Sequence, residues 1–167
     1  VQSILTQSYS LLYLYIYRDG IVPVEINDYL LGLESRYENV FLVTSPKNQG
    51  LAKALNELID LVQKGGSYSY IARMDSDDIS RTNRILNQVN YMQENKHIDV
   101  LGTSCREFGA SFALPEKHLP KTHSELLTFS IAYCPFIHPT VMFKTSVFES
   151  GIRYPVDTSF TEDMGLW

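Results

Sequence analysis

No run of Lys or Arg occurs anywhere in this 167-residue sequence. The balance is 14 basic against 19 acidic residues, a formal net charge of −5. A nucleic-acid-binding face needs a basic patch or stripe, so no nucleic-acid partner is expected. Long apolar runs are missing too. The longest, LLYLYIY at 11–17, falls far short of the ~20 residues that span a bilayer. No transmembrane segment is therefore expected in this chain, and no stretch has the make-up of a secretory signal. Cysteine is scarce: Cys105 and Cys134 stand far apart, in no metal-type spacing. They read as reduced, partly buried thiols of a cytosolic protein. Internal repeats and low-complexity tracts are absent. An initial Met is absent as well, and Val1 opens inside a helical pattern while Trp167 follows a polar-acidic motif. Both ends read as cut, the mark of a piece of a longer protein.

What is present is a core-forming composition. Apolar residues make up 44% and charged residues 20%, the latter below the globular average of about 25%. The length fits a single domain over 1–167. Apolar, β-rich runs alternate with helical patterns. Strands are expected at 11–17, 39–45, 68–74 and 98–109, and helices at 24–37, 51–65 and 81–95. Leu51, Leu55, Leu58, Ile59 and Val62 share one helical face, and Gly65-Gly66 stops that helix. Alternating strands and helices imply an α/β fold with a parallel sheet. In such sheets ligands bind outside the carboxyl ends of the strands. Asp19 and the cluster Asp75, Asp77, Asp78 each lie just past an expected strand end, so both should reach one crevice.

Three carboxylates this close repel one another. A cation, a helix N-terminus or open water must hold them. A hard divalent cation is commonly held by one or two carboxylates plus substrate phosphates, and the Asp75–Asp77 spacing allows both to approach one metal–phosphate unit. The competing reading is capping of the helix that follows. An EF-hand is excluded because Ile79, Ser80 and Leu86 occupy loop positions 5, 6 and 12, where it needs Asp or Asn, glycine and glutamate. A haloacid-dehalogenase-type phosphatase remains a partial match, with its motif at mid-chain and no downstream acidic pair and Lys.

The stretch YIARMDSDDISRTNRILNQVNYM (70–92) resembles the nucleotide-sugar segment of family 2 glycosyltransferases of the GT-A fold. SILTQSYS, YIYRDG, NQGLAKALN, HPTVMFK and TEDMGLW resemble further family blocks in the same order. The resemblance covers nearly the whole chain and is nearest the bacterial capsule and exopolysaccharide branch. It implies a Rossmann-like, three-layer α/β/α GT-A domain with a mainly parallel mixed sheet, truncated at both ends. The family's first strand would precede Val1. The resemblance divides the chain into a nucleotide-sugar half, about 1–108, and an acceptor half, about 109–167.

The resemblance also implies roles. Asp77 would ligate Mn²⁺ or Mg²⁺ and Asp75 would share the metal and face the nucleotide, while Asp78 either orients the metal shell or caps a helix. Asp19 would contact the nucleobase, or simply form an Asp-Gly turn. Many relatives carry a second acid where this chain has Arg18. Asn48 and Gly50 would let backbone approach the nucleotide, or merely start a helix. Arg73 would touch base or phosphate, or sit on the surface. Asp163 matches the family's catalytic base, with Glu162 supporting it; an acidic helix start is the plainer reading. His138 and Trp167 would meet the acceptor, or respectively pack inside and fray. The implied activity is inverting transfer from a nucleotide-sugar, a UDP-sugar by family habit, to a saccharide or lipid-linked acceptor in polysaccharide biosynthesis. The implied location is cytoplasmic, with peripheral attachment at the inner face of the plasma membrane open to it. A non-catalytic nucleotide-sugar-binding or accessory domain is the alternative. A phosphotransfer or nucleotidyltransferase enzyme on a similar fold is a third reading.

Overall fold

The structure, a computed structural model, describes residues 1–158 and 161–167. In chain order the elements are α1 (Gln2–Leu5), β1 (Leu14–Asp19), α2 (Val24–Arg36), β2 (Val40–Ser45), α3 (Leu51–Gly65) and β3 (Tyr70–Ala72). There follow α4 (Arg84–Glu94), β4 (Val100–Leu101), α5 (His123–Ser130), a 3₁₀ turn (His138–Thr140), β5 (Met142–Lys144) and α6 (Ser146–Glu149).

The helices lie where the periodicity puts them. α2 turns Leu30 and Leu33 onto Val40 of β2. α3 buries Ala54, Ile59 and Val62, and α4 buries Ile85, Val89 and Met92. Alternation along β5 shows how the layers form, because successive strand side chains point to opposite faces. Met142 joins the α4 residues Ile85, Val89 and Met92. Phe143 joins Ile59 of α3 together with Val141, Phe148 and Tyr154. Helices therefore cover both faces of the sheet, giving the expected α/β/α layering.

The sheet is mixed, as expected, and falls into two pieces. β1 and β2 pair in parallel, from Leu14↔Val40 to Asp19↔Ser45. β3, β5 and β4 form a second sheet in that order, with antiparallel pairings. Between the two pieces lies a cavity of about 760 Å³, with Tyr13, Tyr15, Leu55, Ile59, Tyr70 and Ala72 on its walls. Tyr15 and Tyr68 bridge the pieces, hydroxyl to hydroxyl, at 2.9 Å.

Three strands are shorter than expected, each for a local reason. The 11–17 run pairs only from Leu14, because the Asn39 side chain takes the Leu12 carbonyl at 2.8 Å. The 68–74 run pairs over Tyr70–Ala72 because its partner β5 is only three residues long. The 98–109 run ends its ladder at Leu101. There the Thr103 N–H turns to the Thr140 hydroxyl, at 3.0 Å. Gly102 is required at that bend, since a Cβ would stand 2.9 Å from the Phe136 ring. Farther on, Cys105 makes an isolated bridge to Lys117. Among the described residues no helix is long and apolar enough to cross a membrane.

Phe148 is 1% exposed and its ring lies 5.0 Å from that of Phe143. Phe148→Ala is expected to cost about 3–5 kcal/mol. Urea unfolding followed by far-UV circular dichroism measures the loss.

Candidate functional site

β3 ends at Ala72 and delivers Arg73, Met74 and Asp75 to its carboxyl end. Arg73 is 8% exposed and its Nη1 holds Asp75 Oδ1 at 2.5 Å. Arg73 Nε and Nη2 are buried without a hydrogen-bond partner among the described residues. Arg84, at the start of α4, braces the segment: its Nη2 donates to the Arg73 carbonyl at 2.7 Å and its Nη1 to Met74 Sδ at 3.2 Å. Burial lowers the Arg84 pKa to about 10; Asp78 opposes this and Arg73 reinforces it. Burial, followed by repulsion from Asp75 and Asp77, raises the Asp78 pKa. Asp77 is exposed, and among the described residues it holds no ion pair.

Helix capping does not account for the acids. α4 starts at Arg84 with Asn83 at its cap, and its first turn carries no acid. The intervening loop is held by the N-terminal residues instead. Gln7 Nε2 donates to the Arg81 carbonyl at 2.9 Å, and Gln7 Oε1 accepts the Ile85 N–H at 3.1 Å. Ser3 Oγ accepts the Ser80 N–H at 3.0 Å. The cluster thus sits on a loop clamped from both sides.

Asp19 closes β1, as expected, and spans a gap between loops. Its two carboxylate oxygens accept the N–H groups of Gln49 at 2.7 Å and Gly50 at 2.9 Å. The Gly50 N–H also reaches Asn48 Oδ1 at 3.0 Å. Gly50 (φ 89°) precedes α3, and Gly20 (φ 96°) follows Asp19; both lie in the left-handed region glycine favours. A Cβ on Gly20 would also come 3.1 Å from the Asn48 backbone nitrogen. Asp19 makes its turn, but Asn48 does not cap α3, whose N-cap is Gly50 without a side-chain cap bond. The same contacts fix Asp19, Asn48 and Gly50 as one unit.

The acceptor-side candidates converge on a second unit. His138 Nε2 and the Tyr154 hydroxyl lie 2.9 Å apart. Burial lowers the His138 pKa to about 4; Arg73 adds to this, and Asp163 and Asp75 oppose it. His138 is therefore neutral at pH 7. Burial pushes the Tyr154 phenol up, against the pull of Arg73 and with reinforcement from Asp163, Asp75 and Glu162. Asp75 and Asp163, far apart in sequence, thus act on the same His–Tyr pair. Asp163 Oδ1 accepts the Met164 N–H at 2.8 Å, and Oδ2 accepts the Cys134 thiol at 3.5 Å. The expected helix at Glu162-Asp163 is instead a series of turns over 162–166. Gly165 is required in it, since a Cβ would meet Pro155 Cγ at 2.4 Å. Trp167 is not frayed. Its ring stacks on Phe143 at 5.7 Å and meets Phe136 at 4.8 Å and His138 at 6.2 Å.

Among the described residues no group of three or more His, Cys, Asp or Glu side chains is arranged to hold a metal ion. A cation held largely by substrate phosphates needs only one or two carboxylates. The exposed Asp77, and the half-buried Asp75 with only Oδ1 on Arg73, fit that donor set.

The family model described as "Glycosyl transferase family 2" matches residues 1–152. The chain belongs to glycosyl transferase family 2. Its relatives include an Escherichia coli UDP-Gal:alpha-D-GlcNAc-diphosphoundecaprenol beta-1,3-galactosyltransferase, 33% identical over 91% of this chain and 54% of that protein. The amylovoran biosynthesis glycosyltransferase AmsE of Erwinia amylovora is 28% identical over 85% of this chain and 53% of its own length. The chain spans about half the length of these curated relatives. In fold alone it is similar to S. aureus TarS 1-349 in complex with UDP. The TM-score is 0.70 at 16% identity, over 98% of this chain and 47% of that one.

Sequence reasoning passed over Arg84, Gln88, Cys134 and Tyr154. Gln88 is 2% exposed, and its Nε2 donates to the carbonyls of Leu101 and Thr140 at 3.1 and 2.9 Å. The available signal for Arg84 and Gln88 was polar residues on the core-facing side of an amphipathic helix. Cys134 and Tyr154 gave none, since their partners are distant in sequence.

The depressed His138 pKa has a defined consequence. Its stabilising contribution is complete above the unfolded value near 6.5 and is lost as pH falls toward about 4. A His138→Asn variant should show a flatter stability–pH curve between those values. Urea unfolding at stepped pH tests this; an unchanged slope would contradict the buried, neutral imidazole.

Proposed function

We propose that this chain carries the donor site and the catalytic base of an inverting glycosyltransferase. It transfers sugar from a UDP-sugar to a saccharide or lipid-linked acceptor in polysaccharide biosynthesis. The observation carrying this reading is that Arg73 holds Asp75 at the end of β3, while His138, bonded to Tyr154, meets Trp167 of the segment that carries Asp163. Family membership supports it, as do the UDP-Gal donor and diphosphoundecaprenol acceptor in the E. coli relative's name.

Asp77 and Asp75 would hold Mn²⁺ or Mg²⁺ against the donor diphosphate. When bound, the cation neutralises charge developing on the leaving nucleoside diphosphate. The pairing of Arg73 with Asp75 fixes that carboxylate. Asp19, Asn48 and Gly50 form the loop pair that meets the nucleoside. The acceptor oxygen attacks the anomeric carbon as the bond to the diphosphate breaks, through an oxocarbenium-like transition state. Asp163 takes the acceptor's proton, and attack from the opposite face inverts the configuration. Glu162, His138 and Trp167 shape the acceptor side, the neutral imidazole without adding charge. The proposed division at about residue 108 is one of roles. In the sheet, β5 of the acceptor half lies between β3 and β4. A lipid-linked acceptor would bring a cytoplasmic protein to the inner face of the plasma membrane.

UDP at ~100 times its dissociation constant should stabilise the protein by about 2.7 kcal/mol, in a Mn²⁺-dependent way. Asp77→Asn should lose that shift while folding normally, as read by differential scanning fluorimetry. Asp163→Asn should keep the shift but lower kcat by about 10²–10⁴, measured as UDP release. A shift with no UDP release from the wild type and any acceptor would favour a binding module. Phosphate or pyrophosphate release would instead indicate phosphotransfer or nucleotidyl transfer.

A further inference from the structure

Cys134, Phe136 and His138 stand at alternate positions of one segment, and all three meet the stretch 154–167. His138 Nε2 reaches the Tyr154 hydroxyl, the Phe136 ring meets Trp167, and the Cys134 thiol reaches Asp163 Oδ2 at 3.5 Å. Only the last of these touches the proposed base itself. Among the described residues, the Asp163 carboxylate has one other hydrogen bond, from the Met164 N–H to Oδ1. That bond comes from the next residue, so it ties the carboxylate only to its own turn. Cys134 ties it to a different part of the chain, 29 positions away. The thiol has one proton and two acceptors in reach, Asp163 Oδ2 and the Phe136 carbonyl at 3.2 Å. A carboxylate is the stronger acceptor. Cys134 is half-buried. Burial raises its pKa; the Phe136 backbone opposes this, and Asp163 reinforces it. The thiol therefore keeps its proton at pH 7 and is a donor rather than a nucleophile.

We propose that Cys134 is a positioning residue for the base: by donating to Oδ2, its thiol sets the direction of the Asp163 carboxylate. This role rests on the proposed reading of Asp163 as the base. Orientation matters because a misplacement of about 1 Å in a reacting group can cost about 10²-fold in rate. A thiol suits the task because it is a weak donor. Every hydrogen bond to a carboxylate favours its charged form and makes it a poorer base. A hydroxyl or a cation in place of the thiol would grip Asp163 more firmly, with a greater loss of basicity. Phe136 and His138 flank this contact in the same segment. Their packing on Trp167 and Tyr154 fixes where the sulfur stands.

Two measurements test this, both on the 167-residue chain carrying Cys105→Ser, which leaves Cys134 as its single thiol. The first reads the S–H stretching band in the infrared. The band should move to higher frequency in Asp163→Ala, with Asp163→Leu as a second variant. A band unmoved by loss of the carboxylate would leave the proton on the Phe136 carbonyl and overturn the proposal, whatever the activity. The second follows Mn²⁺-dependent UDP release to water from a panel of UDP-hexoses and UDP-N-acetylhexosamines. Cys134→Val keeps the shape and removes the donor. It should lower kcat by about tenfold or more, with the KM for the donor and the Tm unchanged. Cys134→Ser should recover kcat to within a few-fold. Undiminished kcat in Cys134→Val would overturn the proposal. So would equal losses of kcat and Tm in both variants, which would make Cys134 a packing residue. A parent chain that shows the infrared contact but releases no UDP would defeat the transfer reading, and the role of Cys134 with it, while leaving the contact itself in place.

Discussion

The Arg73–Asp75 ion pair at the end of β3 is the constraint around which the site is arranged. A guanidinium that is 8% exposed carries a large desolvation cost unless charge and hydrogen bonds compensate. Asp75 supplies the charge. Arg84 fixes the carbonyl of the same residue from the side of α4. Burial against Tyr154 keeps His138 neutral, and the Arg73 charge adds to this. The acids that follow are then divided by environment. Asp75 is committed to Arg73, Asp78 is drawn toward Arg84 and discouraged from ionising, and Asp77 alone is left exposed. Three carboxylates that look equivalent in sequence are three different chemical groups in the fold.

The candidate site spans two sheets that, among the described residues, share no backbone ladder. Asp19, Asn48 and Gly50 belong to the β1–β2 piece, while Arg73, Asp75 and His138 belong to the β3–β5–β4 piece. α3 ties the pieces together. At its start, Gly50 donates to Asp19. In its middle, Glu57 accepts the Tyr17 hydroxyl at 2.6 Å, and Ile59 packs with Phe143. The Asn56 side chain holds the Tyr154 backbone at both N–H and C=O, and Asp60 pairs with Arg153 at 2.6 Å. The Asp19–Asn48–Gly50 unit and the His138–Tyr154 unit are therefore spaced by the side chains of one helix.

Much of this was legible in the sequence, and the limit is physical. Helices α2, α3 and α4 follow from apolar spacing, a local property. The placing of Asp19 and the acid cluster at strand ends follows from chain order. Strand lengths did not follow, because a strand extends only as far as its partner. The 68–74 run is cut to Tyr70–Ala72 by a three-residue β5 more than sixty positions away. Likewise the 98–109 run fails where Thr140 captures the Thr103 N–H. Periodicity reports the face a side chain takes; it is silent on which distant backbone will be opposite.

The same distinction governs the site residues. Asp75, Asp77 and Asp163 could be picked out because their motifs are contiguous. Arg84, Tyr154 and Cys134 could not, because each matters through one long-range contact. Trp167 shows the mixed case. As a terminal aromatic it had every sequence reason to fray, yet it lies against Phe136, Phe143 and His138. That packing holds the 162–166 turns to the core, and the turns carry Asp163. The position of the candidate base is thus set by the residues that follow it. Trp167 anchors the turns from below, and Gly165 permits the close approach to Pro155 that leads to Tyr154. Asp163 is held beside the core because Leu166 and Trp167, which follow it, pack there, not because of any preference of its own.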